Sequence, residues 1–172
     1  ANPAALKVVS KILPTIPKSK RVKHFSAMPF KDIPAFWKDL NRHNTVKANA
    51  LKFTILTVCR TKEVIGANVA EIQGNTWVIQ AERMKKEREH RWPISRQLSA
   101  LIDSLVITGD YLFPSTHYRS NHIGANTMLD FLKNDLGEPY TVHGFRSTFS
   151  DWCAETTNFD ERLSESALAH VL

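Results

Sequence analysis

From Phe30 onward apolar residues return at helical spacing, and Ile33, Phe36, Trp37 and Leu40 fall on one face of a predicted helix. A second helix is predicted after Thr45, running through Ala48, Leu51, Ile55, Leu56 and Val58. Its apolar positions nearly encircle it, which marks it as the central core helix. The polarity switches abruptly at Cys59-Arg60-Thr61-Lys62-Glu63, and a shorter helix from Thr61 to about Ala67 puts Arg60 at a junction of two helices. Between 69 and 94 the period changes: Val69, Ile72, Trp77, Val78 and Ile79 are strand formers around a Gly74-Asn75 turn. The polar run Arg83–Arg91 reads as a hairpin tip and Trp92-Pro93-Ile94 as a closing strand, with Pro93 marking an edge. Ser95 or Ser99 caps the next helix, which carries Leu98, Leu101, Ile102 and Leu105 on one face. Tyr111–Pro114 is a short extended piece. A helix from about Asn121 to Asn134 turns Ile123, Met128, Phe131 and Leu132 inward, and Gly137 and Pro139 end it. Thr141 is the expected N-cap of a helix burying Phe145, Phe149, Trp152 and Cys153, and Gly144 permits a tight bend after His143. A last helix, Asp160–Val171, carries Leu163, Ala167, Leu168 and His170. The predicted fold class is mainly α with a small three-stranded antiparallel β-sheet, an α+β domain.

Residues 1–28 break this patterning. Pro3, Pro14 and Pro17 stand among Lys7, Lys11, Lys18, Lys20, Arg21 and Lys23, which reads as a basic arm ahead of one folded domain at 29–172. The chain has 172 residues and 42% hydrophobic content, enough for a real core. Lysine and arginine total 23 against 17 acids, a formal charge of +6 that favours an anionic partner. No apolar run approaches the ~18 residues of a membrane span. Cys59 and Cys153 both lie in apolar helical patterns, as expected of buried thiols in a reduced, cytoplasmic protein.

The candidate chemistry begins at His143-x-x-Arg146, at the mouth of a helix whose backbone N–H groups favour an anion. Alone, it reads as a capping histidine beside a solvated arginine. The chain adds Arg60, a basic hairpin around Lys85, and His170. The ordered set Leu56-Thr57-Val58-Cys59-Arg60-Thr61-Lys62-Glu63, Ala81-Glu82-Arg83-Met84-Lys85 with His90-Arg91-Trp92-Pro93-Ile94-Ser95, His143-Gly144-Phe145-Arg146-Ser147-Thr148-Phe149, and Leu168-Ala169-His170 resembles the catalytic domain of tyrosine recombinases. These form the phage-integrase family, and the likeness is greatest to integrases of satellite phages and genomic-island prophages. It spans roughly Met28 to the end.

The resemblance implies site-specific DNA recombination through a 3′-phosphotyrosine intermediate, with no cofactor and no metal. Arg60 and Arg146 would clamp the scissile phosphate, as two guanidiniums can by bidentate geometry. Glu63 would orient the site. Lys85 is the expected proton donor to the leaving 5′ oxygen, with Lys86 the second choice. His143 would transfer protons and His170 would hydrogen-bond the phosphate. Possible DNA contacts are Lys86, Arg88, Arg119, Asn121, His122 and Asn126, most of them near the start of the 121–134 helix. Expected partners are double-stranded attachment-site DNA, three further protomers in a tetramer, and accessory DNA-bending proteins. Two positions depart from the pattern. Val58 stands where glycine is common, and no tyrosine follows His170, so residues 1–172 are expected to be truncated before the nucleophile and inactive in cleavage alone. The competing readings are a non-catalytic DNA-binding remnant of an integrase and a metal nuclease built on His117 and His122 or on His90 and His143.

Overall fold

The computed structural model describes residues 26–117 and 120–170. Residues 1–25, most of the expected basic arm, lie outside the described residues, as does Arg119. Helix α1 (Ile33–Leu40) follows a single 3-10 turn at Phe30–Asp32. Helix α2 (Val46–Thr57) starts at Thr45, whose hydroxyl accepts the Ala48 N–H at 3.3 Å. Its Ala48, Ala50, Leu51 and Phe53 are buried, and Phe53 meets Trp77 and Phe113 edge-on at 4.9 and 5.4 Å. Polar residues share that burial: Asn49, Lys52, Thr54 and Thr57 are buried too, each hydrogen-bonded. Lys52, for example, donates to the His43 carbonyl at 2.7 Å, which satisfies the charge that burial would otherwise strand. The central helix is therefore enclosed by packing on all sides, as its pattern predicts.

Helix α3 (Thr61–Ile65) follows at once. Then come β1 (Ile72–Gln73), β2 (Thr76–Ile79) and β3 (His90–Pro93), antiparallel in the order β1-β2-β3. Pro93 faces Thr76 on the edge strand, where its missing N–H costs no ladder bond. Ser95 caps α4 (Arg96–Asp103), accepting the Leu98 N–H at 3.2 Å.

Three expectations are corrected. The helix expected from Asn121 begins only at Thr127: α5 (Thr127–Asp130) runs into a π turn, Phe131–Asp135. Residues 121–123 instead pair back on the 113–115 segment, with Ile123 N–H on Phe113 O and Ser115 N–H on Asn121 O, both at 3.1 Å. Asn121 takes φ 59°, a left-handed turn conformation that Asn tolerates. Second, α6 (Gly144–Thr156) buries Phe145 and Cys153 but leaves Trp152 39% exposed. Third, α7 (Glu161–Ala167), capped by the Asp160 carboxylate, ends earlier than expected and leaves Leu163 60% exposed.

The first described residues brace α6. Met28 is buried in the core at 3% exposure, and its carbonyl accepts the Thr148 hydroxyl at 2.6 Å. The Ser26 carbonyl accepts the Thr141 N–H at 3.0 Å, and the Thr141 hydroxyl in turn accepts the Gly144 N–H at 3.0 Å. A Cβ on Gly144 would overlap the Ser26 carbonyl oxygen and stand 2.9 Å from Ala27 Cα. The glycine is required by this close backbone approach, whereas the sequence suggested a bend.

Candidate active site

Arg60 is the residue from which α3 starts, and Glu63 holds it twice. The Glu63 carboxylate accepts the Arg60 backbone N–H at 2.7 Å and its Nη1 at 2.9 Å. Glu63 is 2% exposed, so this i, i+3 pair is a fixed mount, stronger than a surface pair. The expected orienting role of Glu63 therefore has a direct geometric counterpart.

Arg146, on the first turns of α6, is 5% exposed. Its Nη1 donates to the Val58 carbonyl and its Nη2 to the Leu168 carbonyl at 2.6 Å. Val58 and Leu168 are the C-caps of α2 and α7. Helix C-termini leave carbonyls without intrahelical donors and carry partial negative charge, so two helix ends converge on one guanidinium. The solvated arginine of the single-motif reading is excluded. Val58 lies at φ 47°, the conformation that glycine adopts without strain. A buried β-branched residue therefore carries the strain of a left-handed conformation at a position where glycine is common in the family.

Helix α7 closes with Ala169 at φ 49° and the His170 N–H on the Glu165 carbonyl at 2.9 Å. That left-handed closure returns His170 towards its own helix. Its Nδ1 lies 2.7 Å from Glu165 Oε2 and its Nε2 3.2 Å from Arg146 Nη2. His143 is the N-cap of α6 and is exposed. Partial desolvation lowers its pKa below the usual histidine value, and Arg146, Arg60 and His170 lower it further. Burial also lowers the pKa of Arg146, with Arg60 adding to it. Arg60, His143, Arg146 and His170, from three separate stretches of chain, thus share one electrostatic site.

The hairpin divides its lysines. Lys85 is exposed, while Lys86 and Arg88 line a cleft of about 370 Å³ with Met84, His90 and His170. The structure therefore brings Lys86 to the His170 cleft and leaves Lys85 beside it. One residue assigned to the polar tip, Arg83, instead holds its base. Arg83 pairs with buried Glu71 and donates to the Glu63 carbonyl, and Glu71 also accepts Trp77 Nε1 at 2.9 Å. This network ties the hairpin to the Arg60 mount; a buried acid needing a cation was its only sequence signal. His90 turns inward at the start of β3, and its Nε2 is buried without a partner among the described residues. Burial lowers its pKa; Glu63 opposes that, and Arg60 and Arg146 reinforce it. The inward alternation of His90 and Trp92 was the available clue.

Of the possible DNA contacts, Lys86, Arg88, Asn121 and Asn126 are exposed. Asn126 is the N-cap of α5, while Asn121 and His122 precede the helix in the paired loop. His122 is half-buried against Tyr111, ring centroids 4.9 Å apart, so it does not face outward from a helix as expected. Among the described residues no three histidine, cysteine or acidic side chains gather as metal ligands, and no helix is long and apolar enough to cross a membrane. Cys59 and Cys153 are free and buried, and burial pushes the Cys59 thiol up to about 12.

Comparisons with known proteins show the family and the fold. A family model described as the phage integrase family matches residues 26–171. Prophage integrase IntZ of Escherichia coli (strain K12) is 31% identical over 166 residues, covering 92% of this chain and 41% of that protein. The integrase of Enterobacteria phage P4 is 28% identical over 172 residues, 87% of this chain and 39% of that one. The chain spans about two fifths of the length of these relatives. Among solved structures, a lambda integrase tetramer bound to a Holliday junction matches with a TM-score of 0.69 at 13% identity, covering 96% of this chain and 54% of that one. XerA recombinase matches at 0.64 and 14%, covering 96% and 65%. At these identities the likeness establishes the fold, that of a tyrosine-recombinase catalytic domain.

Proposed function

The chain belongs to the phage integrase family, and on that premise we propose that it is the phosphate-clamping domain of a site-specific DNA recombinase. The observation that carries this reading is the buried Arg146, held by two helix ends and electrostatically coupled to Arg60, His143 and His170. Cleaving a phosphodiester requires charge stabilisation on the non-bridging oxygens of a pentacoordinate phosphorus, and two fixed guanidiniums supply it. A tyrosine hydroxyl attacks the phosphorus, the DNA 5′ oxygen leaves, and a partner strand's 5′-hydroxyl reverses the step. The bond energy stays in the phosphotyrosine link, so neither ATP nor a divalent metal is consumed.

His143, whose pKa is lowered by desolvation and by the neighbouring cations, suits proton transfer, and His170 faces the phosphate. The leaving oxygen takes its proton from the hairpin, from Lys85 by alignment with the family or from Lys86 by its place in the cleft. The attacking tyrosine is assigned outside residues 1–172, since Tyr111, Tyr118 and Tyr140 stand in other contexts. Residues 1–28 are assigned as a basic linker or arm suited to the DNA backbone, and Lys86, Arg88, Arg119, Asn121, His122 and Asn126 as candidate DNA contacts. By analogy with the junction-bound lambda integrase tetramer, the full-length protein works as a tetramer on two attachment sites in the bacterial cytoplasm, with DNA-bending proteins.

The test is cleavage of a nicked attachment-site duplex by the full-length protein in the presence of a chelator. A covalent protein–DNA band that Arg60→Ala and Arg146→Ala abolish is expected. Binding without any such band points to a non-catalytic DNA-binding module, and cleavage restored only by Mg²⁺ to a metal nuclease. A covalent band formed by residues 1–172 alone overturns the placement of the tyrosine.

A further inference from the structure

We propose that Glu165 is a positioning residue for His170, fixing its tautomer so that binding of an anion in the clamp is coupled to proton uptake on the imidazole. The inference rests on the phosphate-clamp reading and deepens it. Glu165 holds His170 twice, by its carbonyl to the backbone N–H at 2.9 Å and by its carboxylate to Nδ1 at 2.7 Å. Across the ring, Nε2 lies 3.2 Å from Arg146 Nη2. A guanidinium can only donate, so Nε2 must accept there, and the proton of the neutral ring sits on Nδ1 and is donated to Glu165. That assignment follows from elimination, because both neighbours have fixed roles.

In this state His170 cannot donate to a phosphate oxygen, since Nε2 carries no proton. To do so it must take one from solvent. The groups around it decide when this happens. Glu165 on α7 favours the charged ring, and Glu89 across the cleft has the same sign. Arg146 beside the ring, and Lys86, Arg88 and His90 on the hairpin side of the cleft, are the cationic or titratable groups that face it, with His143 and Arg60 in the same site. An oxyanion entering among these groups supplies counter-charge to a protonated ring. The ring then takes up a proton, Nε2–H donates to the anion, and Arg146 Nη2 is released from the ring to donate to the same anion. One proton from water enters per anion bound, and nothing else is exchanged. Without the carboxylate, the neutral ring is free to carry its proton on Nε2, and the charged ring loses its counter-charge.

The experiment uses the 172-residue chain labelled with ¹⁵N in the imidazoles. Long-range ¹H–¹⁵N correlations should show His170 protonated on Nδ1. Glu165→Ala should move the proton mainly to Nε2, and Glu165→Gln, whose amide oxygen still accepts, should keep it on Nδ1. The His143 pattern should stay the same in both variants. Sulfate, which does not titrate between pH 5.5 and 7.5, then probes the coupling by calorimetry in two buffers of different ionisation enthalpy. Wild type should bind sulfate about tenfold more tightly at pH 5.5 than at 7.5, and Glu165→Gln only about threefold more tightly, with correspondingly fewer protons taken up. His170→Gln measures the part that belongs to His90 and His143. An Nε2–H tautomer in the wild type, or equal proton uptake in wild type and Glu165→Gln, overturns the proposal. Sulfate that binds at no pH overturns the clamp reading and the coupling with it, while the tautomer still decides the role of Glu165 separately.

Discussion

The floor of the clamp and the hairpin above it hold their cations in opposite ways. Arg146 is buried, and three of its five N–H donors meet two helix-end carbonyls and an imidazole. Lys85 and Lys86 are exposed and make no hydrogen bond or ion pair among the described residues. The difference follows from the chemistry of the two side chains. A guanidinium keeps its charge when buried, so it can be fixed as a permanent electrostatic feature. An ammonium gives its charge up more readily: Lys52, buried on α2, has its pKa lowered by desolvation. A lysine that must carry a proton at neutral pH is better left in water. Charge that has to stay in place is locked, and charge that has to move is left free.

The largest test of this contrast is Arg146→Leu, which leaves the Val58 and Leu168 carbonyls without their donor. It should destabilise the domain by about 3–5 kcal/mol in urea unfolding, whereas Lys85→Ala should fall within about 0.5 kcal/mol. Similar losses for both would erase the distinction. Next comes Gly144→Ala, which asks whether the floor also depends on its brace at Ser26. The added methyl meets backbone on both sides, so a loss of about 2–3 kcal/mol is expected by the same measurement.

A pH series separates the floor's cations from its histidines. His90 and His143 have folded pKa values below their unfolded values near 6.5. The unfolded chain therefore takes up protons first as pH falls. The stability they contribute is complete above the unfolded value and is lost as pH drops towards the folded ones. Melting temperatures should fall between pH 7.5 and 5.5, and the His90→Gln, His143→Gln double variant should fall less. The smallest effect is Ala169→Gly. It relieves the left-handed strain at the end of α7 against the extra chain entropy of glycine, and should stabilise by about 0.5–1 kcal/mol without altering the His170 contacts.

Much of this architecture was legible from periodicity. The core helix, the hairpin with its edge proline, and the Ser95 cap all follow from local rules acting over a few residues. So does the mount of Arg60, because Glu63 is its neighbour in the next turn. Arg146 was legible as a chemical candidate, but its burial was not. Its acceptors are main-chain carbonyls 88 and 22 residues away, and carbonyls have no residue identity to read. Gly144 was misjudged for a related reason, since the atom that forbids a Cβ belongs to Ser26. The late start of α5 reflects a competition between helix propensity at 121–126 and pairing with the 113–115 strand, which tertiary contact decides. Arg83 and His90 were hidden in a run of charges whose members differ only in which way the hairpin turns them.

The two carbonyls that hold Arg146 also set an order of events. Val58 precedes Arg146 by 88 residues and Leu168 follows it by 22. During synthesis the nascent chain can pack α2 and the sheet early, yet Arg146 has only one of its two helix ends to bind until α7 has emerged and wound. The clamp is therefore finished only after α7 has wound, and a chain stalled before residue 168 would carry an unfinished grip on phosphate.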